Sequence, residues 1–354
     1  MAPVALIMAG GTGGHIFPGL ALAQGLREQG WQIHWLGAPA PSMESAWVPE
    51  RGIELHPVDF SGLRGKGWRT LWQLPRRLWG ALGQSRRIIL ALRPQVVVGF
   101  GGYISFPGGC MARWLGVPLF LHEQNSVAGM ANRWLAHGAQ KIFCAFPQAL
   151  PQGIWVGNPL RAEFLRHPPP EARFADRSGP LRILVLGGSL GAQALNRIVP
   201  QALALIDPES RPQVIHQSGA TQIDELRANY AQAGVQAELT PFIHDTAQAM
   251  ADADLVICRA GASTVTELAA IGVASILVPF PHAVDDHQTH NARFLTQREA
   301  ASLWPQSELT APALAQRLCE LDRTALLKVA VQAHACRQTD AVAKMVQACQ
   351  EVAA

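Results

Sequence analysis

The chain has no stretch of about 18 apolar residues, so nothing in it is expected to span a membrane. It has no CxxC pair and no His/Cys cluster at zinc spacing. Its six cysteines (Cys110, Cys144, Cys258, Cys319, Cys336 and Cys349) are scattered, which suits reduced thiols in a cytoplasmic protein. No basic segment precedes the first apolar run, and that run is too short for a signal peptide. Charge is sparse: 16% of 354 residues are charged, and a net +3 is too mild to imply nucleic acid by itself. With 49% of the chain apolar, disorder is excluded and a sizeable core is expected. The length allows two domains of ordinary size.

What is present begins with a pattern. The apolar run Val4 to Met8 reads as a buried strand, Gly10-Gly11-Thr12-Gly13-Gly14-His15 as a loop, and the next residues as a helix ending near Gly30. Strand, glycine loop and helix turn backbone N–H groups and a helix N-terminus toward an anion. His15 stands at the loop's exit. It is either a general base beside a phosphate or sugar site, or incidental to a dinucleotide-type turn. Strands follow at Trp31–Gly37, Ile53–Val58, Gln95–Gly99, Val117–His122, Lys141–Cys144 and Gly153–Val156, with a short helix at Met43–Pro49. Strands separated by helices imply a parallel α/β sheet. A second glycine loop, with Gly101, Gly102 and Tyr103, offers another anion or sugar contact. Glu123 and Asn125 end a strand where open α/β sheets bind ligands, or else cap their own loop.

The stretch Ser61–Pro94 has eight basic residues and no acidic one. Trp68, Leu71, Trp72, Leu78, Trp79 and Leu82 fall at helical spacing on one face, with Arg76 and Arg77 beside them, and Pro75 is expected to start or kink the helix. Such a helix either packs on a core with a solvated basic face or rests on an anionic bilayer. Three tryptophans in an acid-free run favour the bilayer. No nucleic-acid motif accompanies the arginines.

A proline-rich connection, His167–Pro180, leads to a second α/β pattern. Leu181–Leu186 is a strand, and Gly187-Gly188-Ser189 repeats the glycine-loop design, with Ser189 a phosphate donor or an N-cap. Strands are read at Val214–His216, Ala237–Leu239, Asp254–Cys258 and Ser275–Phe280. Thr264 and Glu267 have capping-box spacing. The functional reading of Glu267 is a carboxylate holding both hydroxyls of a ribose. The polar loop 281–291 holds His282, His287 and His290 at mixed spacing with no thiol, which favours sugar or phosphate contacts over a metal site.

The ordered set Gly10–His15, Gly101–Tyr103, His122–Asn125, Gly157–Pro159, Gly187–Ser189, Cys258–Gly261, Glu267 and Asp286–Gln288, with Ser61–Gly67, resembles the bacterial UDP-N-acetylglucosamine:lipid I transferases of glycosyltransferase family 28 along essentially the whole chain. The resemblance implies a GT-B α/β architecture. Two Rossmann-like domains with parallel sheets would face across a cleft that closes on donor binding. Residues 1–160 would form the acceptor- and membrane-associated domain, 161–337 the donor domain, and a helix at about 338–354 would return to the first. It implies the donor UDP-GlcNAc with no cofactor, and undecaprenyl-linked lipid I as acceptor. Ile243 would pair its backbone with uracil and Glu267 would hold the ribose. Ser189 and the Ala262, Ser263, Thr264, Val265, Thr266 turn would contact the diphosphate. Gln288 and Asn125 would read the GlcNAc hydroxyls, with Arg161, Thr12, Gly13 and Gly14 completing the pocket. The acceptor pyrophosphate would face Gly14, His15, Gly101, Gly102, Tyr103 and Glu123. Trp68, Trp72, Arg76, Arg77 and Trp79 would rest on the cytoplasmic leaflet of the inner membrane, with cell-wall and division proteins as further partners. Thr289 stands where a second Gln often follows Gln288, and the loop before it is one residue longer.

His15 is then the base that takes the proton of the acceptor's C4 hydroxyl, with inversion to a β-1,4 link. No carboxylate pair has metal-binding spacing, so metal-independent chemistry is expected, the leaving charge being met by N–H groups, hydroxyls and a helix dipole. Three other classes compete. A nicotinamide-dependent oxidoreductase lacks an acid at the end of the Ile33–Gly37 strand, an epimerase has no use for the Trp/Arg face, and a non-catalytic sensor would bind UDP-GlcNAc without turnover.

Overall fold

The structure, a computed structural model, describes residues 2–60, 68–188 and 191–353, and of residues 68–73 and Val284 the backbone alone. The chain divides into two compact units, Met1–Arg161 with Gln338–Ala354, and Ala162–Arg337. Arg161 thus falls with the first unit, where its guanidinium lies over the Phe17 ring.

In the first unit β1 (Val4–Met8), β2 (Gln32–Gly37), β3 (Glu54–Pro57), β4 (Val96–Gly99), β5 (Leu119–Glu123), β6 (Lys141–Cys144) and β7 (Ile154–Trp155) form one parallel sheet in the order β3-β2-β1-β4-β5-β6-β7. Its helices include α1 (Gly13–Glu28), α2 (Met43–Trp47), α3 (Trp68–Leu92), α4 (Ser105–Trp114) and α5 (Met130–Ala136). Parallel strands must be covered on both faces, which is why β1 and β4 are apolar throughout. Ala5 and Ile7 meet Ile16, Leu22 and Leu26 of α1, and Met345 and Cys349 of the Ala341–Ala353 helix, on one face. Leu6 and Met8 meet α3, α4 and α5 on the other. The C-terminal helix closes on α1 at Gly25, where a Cβ would stand 2.6 Å from Val342 Cγ1.

The second unit repeats the winding with β8 (Arg182–Leu186), β9 (Gln213–Gln217), β10 (Glu238–Thr240), β11 (Leu255–Cys258), β12 (Ala274–Leu277) and β13 (Ser302–Leu303), ordered β10-β9-β8-β11-β12-β13 and parallel throughout. Val185, Ile257 and Ile276 pack on Leu195, Val199 and Leu203 of the Gln193–Ala204 helix. The strand expected to reach Phe280 stops at Leu277. Val278 N–H still bonds Cys258 carbonyl at 2.8 Å, but Pro279 has no N–H to continue the ladder. In both sheets strand order reverses beside the first strand, between β1 and β4 and between β8 and β11. Ligands of open α/β sheets bind at the carboxyl ends of such pairs.

Residues 61–67 lie outside the described residues, as do the side chains of Trp68 and Trp72. α3 begins before Pro75 and runs through it. The single face expected to hold both Leu78 and Trp79 is divided. Leu74, Leu78, Ala81 and Ile89 meet the sheet, whereas Trp79 is 76% exposed, because consecutive helical residues diverge by about 100°.

Candidate active site

β1 runs directly into the first glycine loop, and β4 into the second. Gly11, Gly101 and Gly102 have φ of +88°, +84° and +77°, a region that a side chain strains. A Cβ on Gly102 would stand 2.8 Å from the Gly10 carbonyl oxygen, so the two loops meet backbone against backbone. A residue that sequence reasoning missed braces them. Glu44 on α2 is fully buried, and its carboxylate accepts from Ala38 N–H (3.0 Å) and Gly11 N–H (3.3 Å). Tyr103 stands beside the same loop, and its hydroxyl pKa is raised by burial and by the charge of Glu44. Thr12 is the N-cap of α1. It makes no side-chain cap, and no acidic residue occupies the first turn of the helix.

His15 lies in that first turn, and the hydrogen bonds behind it assign its tautomer. His122, fully buried at the end of β5, sets Nε2 2.9 Å from Gly157 carbonyl oxygen. A carbonyl only accepts, so His122 carries its proton on Nε2 and leaves Nδ1 as an acceptor. The amide nitrogen of Gln124 donates to that Nδ1 (3.0 Å) and to His122 carbonyl oxygen (3.0 Å), fixing which way the amide points. Its oxygen then lies 2.9 Å from His15 Nδ1, which must donate. The remaining lone pair of His15 is on Nε2. The relay needs His122 neutral, and its pKa is pulled down to about 4, chiefly by burial, with Gly157 carbonyl opposing and His15 adding to the fall. His122 and Gln124 were legible only as parts of a motif.

Of the two roles weighed for Glu123 and Asn125, loop capping is the one the hydrogen bonds of Glu123 serve. Glu123 is buried, and its carboxylate accepts from Asn125 N–H (2.9 Å), Gly129 N–H (3.1 Å) and Asn132 Nδ2 (2.9 Å). It is committed to the 124–129 loop and is poorly placed to touch an acceptor.

In the second unit Gly188 has φ +77°, and Gln217 clamps it from both sides, accepting from its N–H and donating to its carbonyl, each at 3.2 Å. Ser189 lies outside the described residues. The Ala262–Ile271 helix starts at the carboxyl end of β11 with Gly261 as N-cap, no side-chain cap and no acid in its first turn. The capping box expected of Thr264 and Glu267 is therefore absent, because both lie inside the helix. Two other expectations change. Val265 is buried and its N–H bonds Gly261 carbonyl (2.9 Å). Thr266 turns its hydroxyl back to Ala262 and Ser263 carbonyls (3.1 and 2.8 Å). Neither offers a diphosphate a donor. The Ser263 hydroxyl, by contrast, is buried and has no hydrogen-bond partner among the described residues. Glu267 is half-buried, close enough that its charge joins burial in pushing the Cys258 thiol up to about 12. Ile243 follows β10, and its carbonyl accepts from the Thr246 hydroxyl (3.3 Å). Gln288 has its amide oriented by Phe280 N–H (2.8 Å), and Thr289 is occupied by Asp286 (2.7 Å). Asp285 and Asp286, in the loop before Gln288, both have positive φ.

α3, α4 and α5 cover one face of the first sheet, and each leaves a tryptophan outside. Trp114 and Trp134, like Trp79, are exposed, and Arg86 lies over the Trp114 ring at 5.6 Å. Arg76 and Arg77 are exposed beside Trp79. Among the described residues no helix is long and apolar enough to cross a membrane.

Residues 5–144 match the model of the glycosyltransferase family 28 N-terminal domain, and residues 182–347 that of the family's C-terminal domain. The chain belongs to glycosyltransferase family 28. Family relatives include the UDP-N-acetylglucosamine–N-acetylmuramyl-(pentapeptide) pyrophosphoryl-undecaprenol N-acetylglucosamine transferases of a Polaromonas species (61% identical, covering 99% of this chain and 92% of that one) and of Albidiferax ferrireducens (62% identical, 98% and 91%). The crystal structure of Acinetobacter baumannii MurG superposes with a TM-score of 0.86 at 39% identity, over 99% of both chains. The kitacinnamycin glycosyltransferase, at 17% identity and a TM-score of 0.69, shares the fold. Family 28 membership and these neighbours make the architecture GT-B, two Rossmann-like parallel-sheet domains.

Proposed function

We propose that this chain is an inverting glycosyltransferase that moves GlcNAc from UDP-GlcNAc to the C4 hydroxyl of the MurNAc of undecaprenyl-linked lipid I, forming the β-1,4 link of lipid II in peptidoglycan synthesis. The observation that carries the reading is the Gly157–His122–Gln124–His15 relay, which leaves a lone pair on His15 Nε2 in a family 28 chain whose relatives carry that transferase name. The C4 hydroxyl is a weak nucleophile. His15 Nε2 takes its proton as the oxygen attacks the anomeric carbon, and the bond from that carbon to the UDP oxygen breaks on the opposite face. The imidazolium so formed is stabilised by the Gln124 oxygen. The departing diphosphate is met by the N-terminus of the Ala262–Ile271 helix and the Ser263 hydroxyl, so this reading assigns no metal and no cofactor to the step.

Glu267 holds the ribose, Ile243 the uracil, and Gln288 and Asn125 the sugar hydroxyls, with Thr12, Gly13, Gly14 and Arg161 completing the donor contacts. The first unit's glycine loops take the acceptor's pyrophosphate. The exposed Trp79, Trp114 and Trp134 beside arginines fit peripheral attachment to an anionic leaflet at the cytoplasmic face of the inner membrane, where division and cell-shape proteins would find the enzyme.

The test is transfer of labelled GlcNAc to a lipid I analogue, wild type beside His15→Ala. The wild type transfers. The variant loses about 10²–10⁴-fold in turnover, the range for a removed acid–base group, and keeps UDP-GlcNAc binding. Equal turnover would overturn the base assignment. A folded wild type that binds UDP-GlcNAc without transfer would overturn the acceptor in favour of an epimerase or sensor.

A further inference from the structure

We propose that His34, Glu54 and His56 form a site for one divalent transition-metal ion of the zinc class at the edge of the first unit's sheet. β2 and β3 pair in parallel with His34 opposite Glu54 and Leu36 opposite His56. Side chains alternate along a strand, so with Trp35 and Leu55 packed into the α1 layer, His34, Glu54 and His56 all lie on the other face. There His34 Nδ1 is 3.0 Å from His56 Nε2 and 3.4 Å from Glu54 Oε2, and His56 Nε2 is 3.7 Å from Glu54 Oε1. An ion held tetrahedrally by ligands about 2.0–2.1 Å away sets them roughly 3.3 Å from one another; the His34–His56 and His34–Glu54 Oε2 separations lie on either side of that value, and one ligand atom from each residue falls within 4.8 Å of the others. Among the described residues this is the one group of three His, Cys, Asp or Glu ligand atoms gathered within 4.8 Å.

The donor set decides the class. Two imidazole nitrogens and one carboxylate oxygen suit Zn²⁺ or Ni²⁺ over Mg²⁺ or Ca²⁺, which take oxygen. The β2–β3 ladder already holds the backbones of the three residues, so binding has only side chains left to order. His34 is buried while Glu54 is mostly exposed on the edge strand, giving the ion a route in and a place for a water ligand. The ion replaces the hydrogen bond between the rings: the ring that donates it shifts that one proton to its outer nitrogen, while the accepting ring already carries its proton there. It pins β3 to β2 and takes no part in transfer.

The test uses the full chain, stripped with chelator and titrated with Co²⁺, then with Zn²⁺ in competition. We expect one equivalent to give the visible absorption of tetrahedral Co²⁺ without a thiolate charge-transfer band, displaced by Zn²⁺, and a higher melting temperature in Zn²⁺. His56→Ala and the exposed Glu54→Gln should each weaken binding by at least about 100-fold, the upper end of what loss of a mere supporting partner costs, while the exposed His137→Ala leaves it intact. The proposal is overturned if Co²⁺ does not bind, if both variants bind like the wild type, or if the thiolate band appears.

Discussion

Replacing Gln124 by Met keeps the side-chain volume and removes both ends of the relay. His15 Nδ1 loses its acceptor at 2.9 Å, and His122 Nδ1 its donor at 3.0 Å. In the ground state the first bond is neutral and worth about 0.5–1.5 kcal/mol, but as His15 takes the proton it becomes a bond from an imidazolium, worth about 1.5–3 kcal/mol. The difference, about 1–1.5 kcal/mol, belongs to the transition state alone and amounts to roughly a tenfold loss in rate. Freeing the ring to carry its proton on Nε2 removes a further share of competent enzyme. We therefore expect Gln124→Met to lower kcat about 10- to 100-fold, less than the loss in His15→Ala, with the KM for UDP-GlcNAc unchanged. Steady-state transfer to a lipid I analogue, with circular dichroism to establish folding, reads this directly. Full kcat in a folded Gln124→Met enzyme, or a loss carried entirely by acceptor KM, would refute the relay as the device that orients His15.

Glu267→Ala should raise the KM for UDP-GlcNAc about 10- to 100-fold, as expected for a carboxylate's hydrogen bonds to a ribose, with a smaller change in kcat; an unchanged KM removes Glu267 from the donor site. Glu123→Gln should cost about 1–3 kcal/mol in urea unfolding, because an amide cannot accept from all the donors that the carboxylate satisfies, and unaltered stability would contradict loop capping. His216, buried against Tyr230 and Asn196, has its pKa pulled by burial from 6.5 to about 3. The unfolded chain therefore takes the proton first, and stability falls by about 1.4 kcal/mol per pH unit as pH drops below 6.5 toward 3. His122 adds a fall of the same sign down to about pH 4, and His216→Gln should flatten the slope of stability against pH by one proton. Trp79→Ala with Arg76→Ala and Arg77→Ala should weaken sedimentation with anionic vesicles about fivefold per arginine at low salt and leave the melting temperature unmoved; equal sedimentation would move the membrane face elsewhere.

Much of the fold was legible because it is written in local signals. Five apolar residues ending in glycines can only be a buried strand leading to a turn, and repetition of that design at Leu181–Ser189 announces a second unit. His15 could be singled out because its loop has few other side chains. Periodicity fails where the environment is not a single plane. Leu78 and Trp79 both satisfy a broad helical stripe, and only the position of the sheet sends one in and the other out. Spacing likewise matched Thr264 and Glu267 to a capping box, but β11 ends at Cys258 and the helix begins at Ala262, so both are interior positions.

By itself, then, the sequence determined two parallel α/β units, their glycine loops, the base candidate and the family, since each is carried by neighbours along the chain or by an ordered set of motifs. Tertiary structure alone decided which nitrogen of His15 is free, because the partners that assign it come from β5 and from Gly157. It alone committed Glu123 to a loop, brought Glu44 under the first glycine turn, and set His34 beside His56 by pairing two strands whose residues stand twenty-two positions apart. Hydrogen bonds and strand register act across space, and no local window of sequence contains them.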